Sequence, residues 1–561
     1  MAKIQILPLG GQDERGKNCY IIQVDEDIYI FDCGVKVPIN GQLGVSMITP
    51  DFSYLSKISS KIKGIFVGYP CFNNYAGLPY LLKQINPNTP IFTNSIGKII
   101  IETYYEKKLK GLKFSSPKIK VVDPMKDIKI GKSVVTPFKI TNSISESLGW
   151  VIKTEDGAIV FTDEFMINHD KSKAFDSQIQ HLNSITQKNT LALITSLGNV
   201  GNFKGYTAPN HKNYNFYDAL IENAKGRVIV AVNDRDMYTV YNLAQIAKAK
   251  GRPFSIYGNT FMNAFSGLVK AKLLNTKGLN CLPIAEINNS ENAVVVCTGT
   301  QDSLFKKLFM IADGQVGMLQ LKDTDTFALG TQLVPGYEGH AARLMDALSR
   351  LDIDSYIIPK TILPMNASNE DHKSLVSLLQ PKYIFPIQGL YKSVVKYQEL
   401  MTQTWIKKEQ VVYLDNGEGT QIVNGQLTNK KVTAKLTEKY IGNAGAIDVG
   451  ASILFEREQM GDAGIILLTL VLDKKAQKFV DMVTVNDFGV VTKDKETLES
   501  FNEVIQQFKE NINDYIVYDS NKKKVDAKET KVLFKKVFTK LFEKKFNKRP
   551  LVLPSIIEVT E

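Results

Sequence analysis

Five histidines are scattered along the 561 residues, at His169, His181, His211, His340 and His372. No two lie two, four or five positions apart, so no loop or helix turn can present a local chelating pair. The five cysteines, Cys19, Cys33, Cys71, Cys281 and Cys297, are odd in number, widely spaced and free of any C-x-x-C pair. That pattern argues against a disulfide framework or a zinc knuckle and for reduced, buried thiols. Two-metal hydrolysis needs imidazoles and carboxylates gathered around both cations. The residues that could gather near one loop are Cys71, Asp163, Glu164, His169 and Asp170, a thin supply. Ser368 stands before a helical segment beginning near Asn369, where a hydroxyl either caps the helix or donates to a bound anion.

The elements that must position these residues are legible from periodicity. Alternating apolar residues predict strands at Ile4–Leu9, Tyr20–Ile22 and Ile28–Asp32, with Gly10, Gly11 and Gly16 at the crossings. Further strands are predicted at Ile62–Val67, Ser133–Phe138, Gly149–Ile152 and Ala158–Phe161, with a helix near Leu78–Lys83. Short strands broken by helices suggest two packed sheets with helices outside. From about residue 206 a β-α-β rhythm takes over, with a buried strand at 226–232, a helix from Met237 to Lys250 and a strand at 253–257. Such a rhythm predicts a parallel sheet. The strand-rich pattern is predicted to return at 355–358, 383–387 and 411–414. A polar stretch over 426–445 reads as a linker, and an α+β module follows. Its helix at 531–546 carries Phe534, Val537, Phe538, Leu541 and Phe542 at helical spacing with lysines opposite. Such a helix either docks with a solvated basic face or turns that face to RNA.

Composition sets the bounds. At roughly 100–200 residues per domain the length implies three or four domains. With 44% hydrophobic and 23% charged residues this is an ordinary globular mixture. A net charge of +11 favours polyanionic partners, although lysine far outnumbers arginine and a lysine-rich proteome would give the same balance. No apolar run reaches the ~18–20 residues needed to span a bilayer. The N-terminus goes directly into strand alternation without a signal-peptide pattern, so no membrane association and a cytoplasmic location are expected.

Several ordered blocks resemble the ribonuclease J family. They are Leu9-Gly10-Gly11-Gln12-Asp13-Glu14-Arg15-Gly16-Lys17-Asn18, Phe31-Asp32-Cys33-Gly34-Val35-Lys36 and Lys63-Gly64-Ile65-Phe66. Farther on come Gly77–Gln84, Cys297-Thr298-Gly299-Thr300-Gln301, Pro381–Ile387 and Lys548–Pro554. The resemblance implies an α/β architecture: a metallo-β-lactamase αββα sandwich, an inserted β-CASP domain and a small α+β C-terminal domain used in oligomerisation. The implied boundaries are 1–205 and 355–425 for the sandwich, 206–354 for the insert, 426–445 for the linker and 446–561 for the last domain.

Members of that family hold two zinc or manganese ions, mainly through an H-x-H-x-D-H loop. By the resemblance, the four ligand positions of that loop are Tyr69, Cys71, Asn73 and Asn74 here. Asn142 stands at a third-motif histidine. Glu164 stands at the bridging aspartate, the one replacement still able to bind metal. Thr195 or Ser196 falls at an acidic position of the insert. In Pro364-Met365-Asn366-Ala367, Asn366 replaces a histidine implicated in catalysis, and Met365 replaces a glycine that would approach phosphate. Gln388 replaces a late ligand histidine. Neutral amides are poor substitutes for imidazole, but they keep hydrogen-bonding capacity, which predicts a pocket filled by a polar network. No catalytic residue, metal or cofactor is expected. Ser368 is the RNA-binding candidate at the cleft.

The expected function is therefore that of a catalytically inactive ribonuclease J-like subunit or scaffold in RNA processing. Its partner would be an active paralogue or a second copy of itself, with RNA as a possible ligand. The alternatives are an active metal-dependent 5′–3′ exo- or endoribonuclease with atypical ligands, and a non-catalytic module binding another polyanion or a protein.

Overall fold

The computed structural model describes residues 2–38, 43–107, 109–168, 175–207, 209–333, 336–359, 362, 366–442, 450–490, 494–519 and 524–559. It divides into two compact units, Met1–Ile447 and Asp448–Glu561.

In the first unit an eight-stranded sheet runs, in spatial order, Gln426–Thr433, Glu418–Val423, Lys3–Gly10, Cys19–Val24, Asp27–Phe31, Ile62–Phe66, Ile91–Thr93 and Ile119–Val121. A six-stranded sheet runs Tyr383–Ile387, Thr190–Ser196, Gly157–Thr162, Leu148–Thr154, Ser133–Lys139 and Ile128–Ile130. Their facing sides bury Ile4, Ile22, Phe31 and Phe66 against Trp150, Ile159, Phe161 and Phe385. Phe31 stacks on Phe66 at 4.9 Å and on Phe161 at 4.7 Å, locking the sheets through aromatic contact. Helices Leu78–Leu82 and Ser95–Lys107 pack outside the first sheet, and Asn369–Leu379 and Tyr391–Met401 outside the second. This is the expected αββα sandwich.

Strands Thr190–Ser196 and Tyr383–Ile387 are adjacent and parallel, with Ala192 opposite Tyr383. The chain leaves the sheet after the first and re-enters at the second. Between them lies a five-stranded parallel sheet in the order Phe254–Tyr257, Val294–Gly299, Val228–Asn233, Thr326–Leu329 and Asp354–Ile357. The first four strands are apolar runs buried on both faces, as helix-covered parallel strands must be. Arg227 and Asp325 form a fully buried ion pair beneath two of these strands, with Nε–Oδ1 2.8 Å and Nη2–Oδ2 2.6 Å.

Two expected boundaries need correction. The strand at 354–357 belongs to the inserted sheet, where Ser355 pairs with Phe327, and does not return to the sandwich. The stretch 426–445 is not a linker over its described part. Gln426–Thr433 closes the edge of the eight-stranded sheet and Lys439–Gly442 pairs with Val45–Thr49. Both are polar edge strands, and edge strands lack the apolar alternation by which a strand is read. The strand expected at 411–414 is reduced to a single bridge, Ile384 to Val411.

The second unit has a three-stranded sheet in the order Lys478–Phe488, Ile465–Asp473 and Leu551–Val559. Ile466, Leu468, Leu470 and Leu472 alternate inward onto helices Lys495–Glu510 and Ala527–Phe546. Phe534, Phe538 and Phe542, four residues apart, supply the buried stripe of the last helix. Among the described residues no helix is long and apolar enough to cross a membrane.

Candidate functional site

The loop that leaves strand Ile62–Phe66 enters a short helix, Phe72–Tyr75. It is pinned from below: Cys33 N–H donates to the Asn74 carbonyl at 2.6 Å and Asn18 N–H to that of Asn73 at 3.2 Å. Gly34 is required here, because a Cβ would lie 1.3 Å from the Asn73 carbonyl oxygen. Backbone contacts therefore hold the loop whatever its side chains are.

The residues expected at the site do converge, and hydrogen bonds occupy them. The buried Tyr69 hydroxyl lies 2.8 Å from Ser143 Oγ. Asn74, fully buried, accepts from Asn18 Nδ2 at 2.7 Å through Oδ1 and donates to Asp163 through Nδ2. Asn142 Oδ1 accepts from Ile144 N–H at 2.9 Å and from Ser147 Oγ at 2.8 Å, while its Nδ2 donates to the Glu164 carbonyl at 3.1 Å. The Thr195 hydroxyl accepts from Thr162 at 2.8 Å, one residue before Asp163. Ser196 is buried and accepts weakly from Gly198 N–H at 3.4 Å. Burial raises the Cys71 thiol well above its ordinary range, and the neighbouring carboxylates add to this, so a neutral thiol faces the site.

Other expected residues stand apart from this network. The Asn73 side chain is half-buried, and only its carbonyl is engaged. Asn366 contributes its carbonyl to Asn199 Nδ2 and to Thr207 Oγ1. Ser368 is fully buried and caps helix Asn369–Leu379 in a reciprocal box with Asp371: its N–H donates to Asp371 Oδ2 at 2.9 Å and its hydroxyl at 2.8 Å. It is a cap, not a donor facing a cleft. Met365, His169 and Asp170 lie outside the described residues. His372 is buried edge-on between Phe165 and Tyr397, and burial holds it neutral with a pKa of about 3.

Three carboxylates and two guanidiniums complete the site. Burial, then the charge of Glu164, pushes Asp163 up to about 7, while the amide of Gln388 opposes that rise. Asp32, buried beside Asp163, is raised well above the carboxylate range by burial and then by that neighbour. One proton shared between the two acids satisfies both directions. Asp32 also has φ +61, a left-handed conformation that a non-glycine residue holds only when its surroundings enforce it.

The Glu164 carboxylate, whose charge acts on Asp163, has a partner of its own. Its Oε1 meets Arg235 Nη1 at 3.5 Å, and Arg235 comes from the end of strand Val228–Asn233 in the inserted sheet. Glu164 is the chief cause of the upward shift of Arg235, and Tyr69 and Cys71 also act on it. A guanidinium is therefore paired with Glu164 within the electrostatic reach of Tyr69 and Cys71. Arg15 lies close enough to feel both: desolvation and then Arg235 lower it, and Glu164 raises it. Asp163 is predicted near the loop by its place in the sequence. Asp32, Asn18 and Arg15 occur in the blocks of resemblance without an assigned role. Nothing local could mark Arg235, since only the packing of the insert brings it to Glu164.

These donors do not fit a pair of zinc or manganese ions. Neutral amides stand where the resemblance implies histidines, the oxygens of Asn74 and Asn142 already accept hydrogen bonds, and Glu164 is paired with arginine. Among the described residues no group of three or more His, Cys, Asp or Glu is arranged to hold a metal.

The sandwich with an all-parallel insert defines a class, the metallo-β-lactamase fold with an inserted β-CASP domain. Comparison with known proteins narrows it. The family description "Ribonuclease J, beta-CASP domain" matches residues 225–348 and "Ribonuclease J C-terminal domain" matches 452–559. The chain is 37% identical over 562 residues to the uncharacterized protein MG423 homolog of Mycoplasma pneumoniae, covering all of both chains. It is 25% identical over 563 residues to ribonuclease J 2 of Streptococcus pyogenes, again covering all of both. A protein of unknown function from Enterococcus faecalis V583 shares the fold at TM-score 0.52 and 12% identity, over 75% of this chain and 100% of that one. This chain belongs to the ribonuclease J family, whose work is RNA processing.

Proposed function

We propose that this protein is a non-catalytic member of its family, a cytoplasmic subunit or scaffold that assembles with an active ribonuclease J paralogue. The observation that carries this reading is how the former ligand positions are engaged. Asn74, Asn142 and Thr195 are bound into a neutral network, and Glu164 is paired with Arg235. In two-metal hydrolysis one cation lowers the pKa of the attacking water and the second stabilises the leaving oxygen. A guanidinium hydrogen-bonded to a carboxylate can neutralise charge, but it does not activate water. The test combines elemental analysis of the purified full-length protein with an assay on 5′-monophosphorylated RNA in added Mn²⁺ and Zn²⁺. Less than stoichiometric metal and no turnover above buffer are expected, together with recovery of an active paralogue on affinity purification from the host. Recovery only as a homo-oligomer would count against the scaffold role.

A second reading, an active ribonuclease with an atypical metal set, is favoured by one observation: Asp32, Asp163 and Glu164 lie together. Stoichiometric metal, with turnover lost in Glu164→Ala, would establish it.

A further inference from the structure

The charge of the C-terminal unit is sharply polarised. Residues 448–561 carry nineteen Lys and Arg against nineteen Asp and Glu, so the unit is neutral. Residues 527–549 alone carry nine basic residues against two acidic ones, and the remainder of the unit is correspondingly acidic. A lysine-rich proteome would spread its positive charge and does not produce this segregation.

The structure gives that charge a geometry. Helix Ala527–Phe546 buries Phe534, Phe538 and Phe542 against the sheet, which leaves Lys536, Lys540 and Lys544 on its exposed side. Four-residue spacing sets them in a row, each about 6 Å beyond the last along the axis. Lys528 is exposed one turn before Val532, itself 58% exposed at the head of the row, and Lys548 is exposed just past the helix end. Lys545 and Arg549 are engaged by Glu503 and Glu543, each at 2.6 Å. Among the described residues no carboxylate lies within ion-pair distance of Lys528, Lys536, Lys540, Lys544 or Lys548.

We propose that the exposed lysine row of helix Ala527–Phe546 is a binding surface for the phosphate backbone of RNA, separate from the degenerate cleft. The helix has spent its apolar face on the core and has no second one to insert into a lipid surface, which membrane-surface helices require. A row of flexible point charges without an apolar pocket suits a repeating phosphate chain better than a folded protein, whose interfaces centre on buried anchors. RNA is the polyanion this family handles. The proposal goes beyond the scaffold reading and does not depend on whether the cleft is active.

The test is fluorescence anisotropy of the full-length protein with a labelled 20-nucleotide single-stranded RNA, in EDTA, across a KCl series. EDTA silences metal-dependent cleavage, so the result is independent of the assay for turnover. In K536Q/K540Q/K544Q the affinity is expected to fall about tenfold or more, and the slope of log affinity against log salt to flatten by about two. The K536R/K540R/K544R triple should retain binding, and both triples should melt like the parent. Unchanged affinity and slope in the glutamine triple would overturn the proposal. So would an equal loss in the charge-matched K113Q/K118Q/K430Q variant, which would show that net charge alone is read. Loss of binding to anionic phospholipid vesicles with RNA binding intact would also overturn it, in favour of lipid.

Discussion

At the scale of single residues, the site is held by hydrogen bonds and one ion pair. The Arg235–Glu164 pair is partly open to solvent, with side-chain exposures of 34% and 17%, so screening limits its worth. A double-mutant cycle on Glu164→Gln and Arg235→Met should give a coupling of about 0.5–1 kcal/mol by denaturant unfolding. Zero coupling would mean the two charges do not interact in solution. His372 yields a pH prediction. Its folded pKa of about 3 lies below the ordinary value of 6.5, so the unfolded chain binds more protons between those pH values. The stabilisation is therefore complete above about pH 6.5 and is lost as pH falls toward about 3, at up to ~1.4 kcal/mol per pH unit. His372→Phe keeps a ring between Phe165 and Tyr397 and removes the titration, so its acid limb should be shallower than the parent's. Identical limbs would show that His372 does not bind a proton on unfolding.

At the scale of elements, the inserted sheet is tied together by the buried Arg227–Asp325 pair, which joins the start of one strand to the turn before another. Arg227 also donates to the Ile287 and Gln320 carbonyls, so it organises two loops beneath the sheet. Arg227→Met would leave Asp325 charged and buried, at a cost of about 3–5 kcal/mol. Arg227→Met with Asp325→Leu should recover much of that loss in chemical denaturation, and a double variant as unstable as the single one would contradict this account. Helix Ala527–Phe546 depends instead on its aromatic stripe, where Phe508 meets Phe538 at 5.3 Å and Phe534 at 5.5 Å. Phe538→Ala should destabilise the C-terminal unit by about 3–5 kcal/mol, read as a lowered thermal midpoint.

At the scale of the whole molecule, each unit has its own core, and the C-terminal unit is built around the contacts of Phe508, Phe534, Phe538 and Ile466. Residues 448–561 expressed alone should show a cooperative far-UV melt, since a unit of this size with a closed core can fold independently. A broad, non-cooperative melt would show that the unit depends on the rest of the chain. The +11 net charge belongs entirely to the first unit, because the second is neutral overall and polarised within. Whole-chain charge thus gives no sign of the basic row on the last helix.

Much of the fold was legible in the sequence. Alternation marked the central strands, the β-α-β rhythm marked the insert, and Phe534, Phe538 and Phe542 marked the buried face of the last helix, because burial selects apolar side chains at the period of the element. The resemblance also pointed to Tyr69, Cys71, Asn74, Asn142 and Gln388, and the structure brings them to one region of buried polar contacts. Edge strands were not: Gln426–Thr433 and Lys439–Gly442 are held by backbone pairing, which leaves little trace in side-chain type. A polar network was expected from the amides, but its partners were not legible. Asp163 meets Asn74 across 89 residues, and Arg235 meets Glu164 across 71 and across a module boundary. Such contacts depend on where packed sheets deliver their ends, a property of the tertiary structure that no local spacing records. The sequence by itself determined that the five histidines are too scattered to form a local chelating pair, and only the tertiary structure decided that Arg235, from beyond a strand of the inserted sheet, meets Glu164.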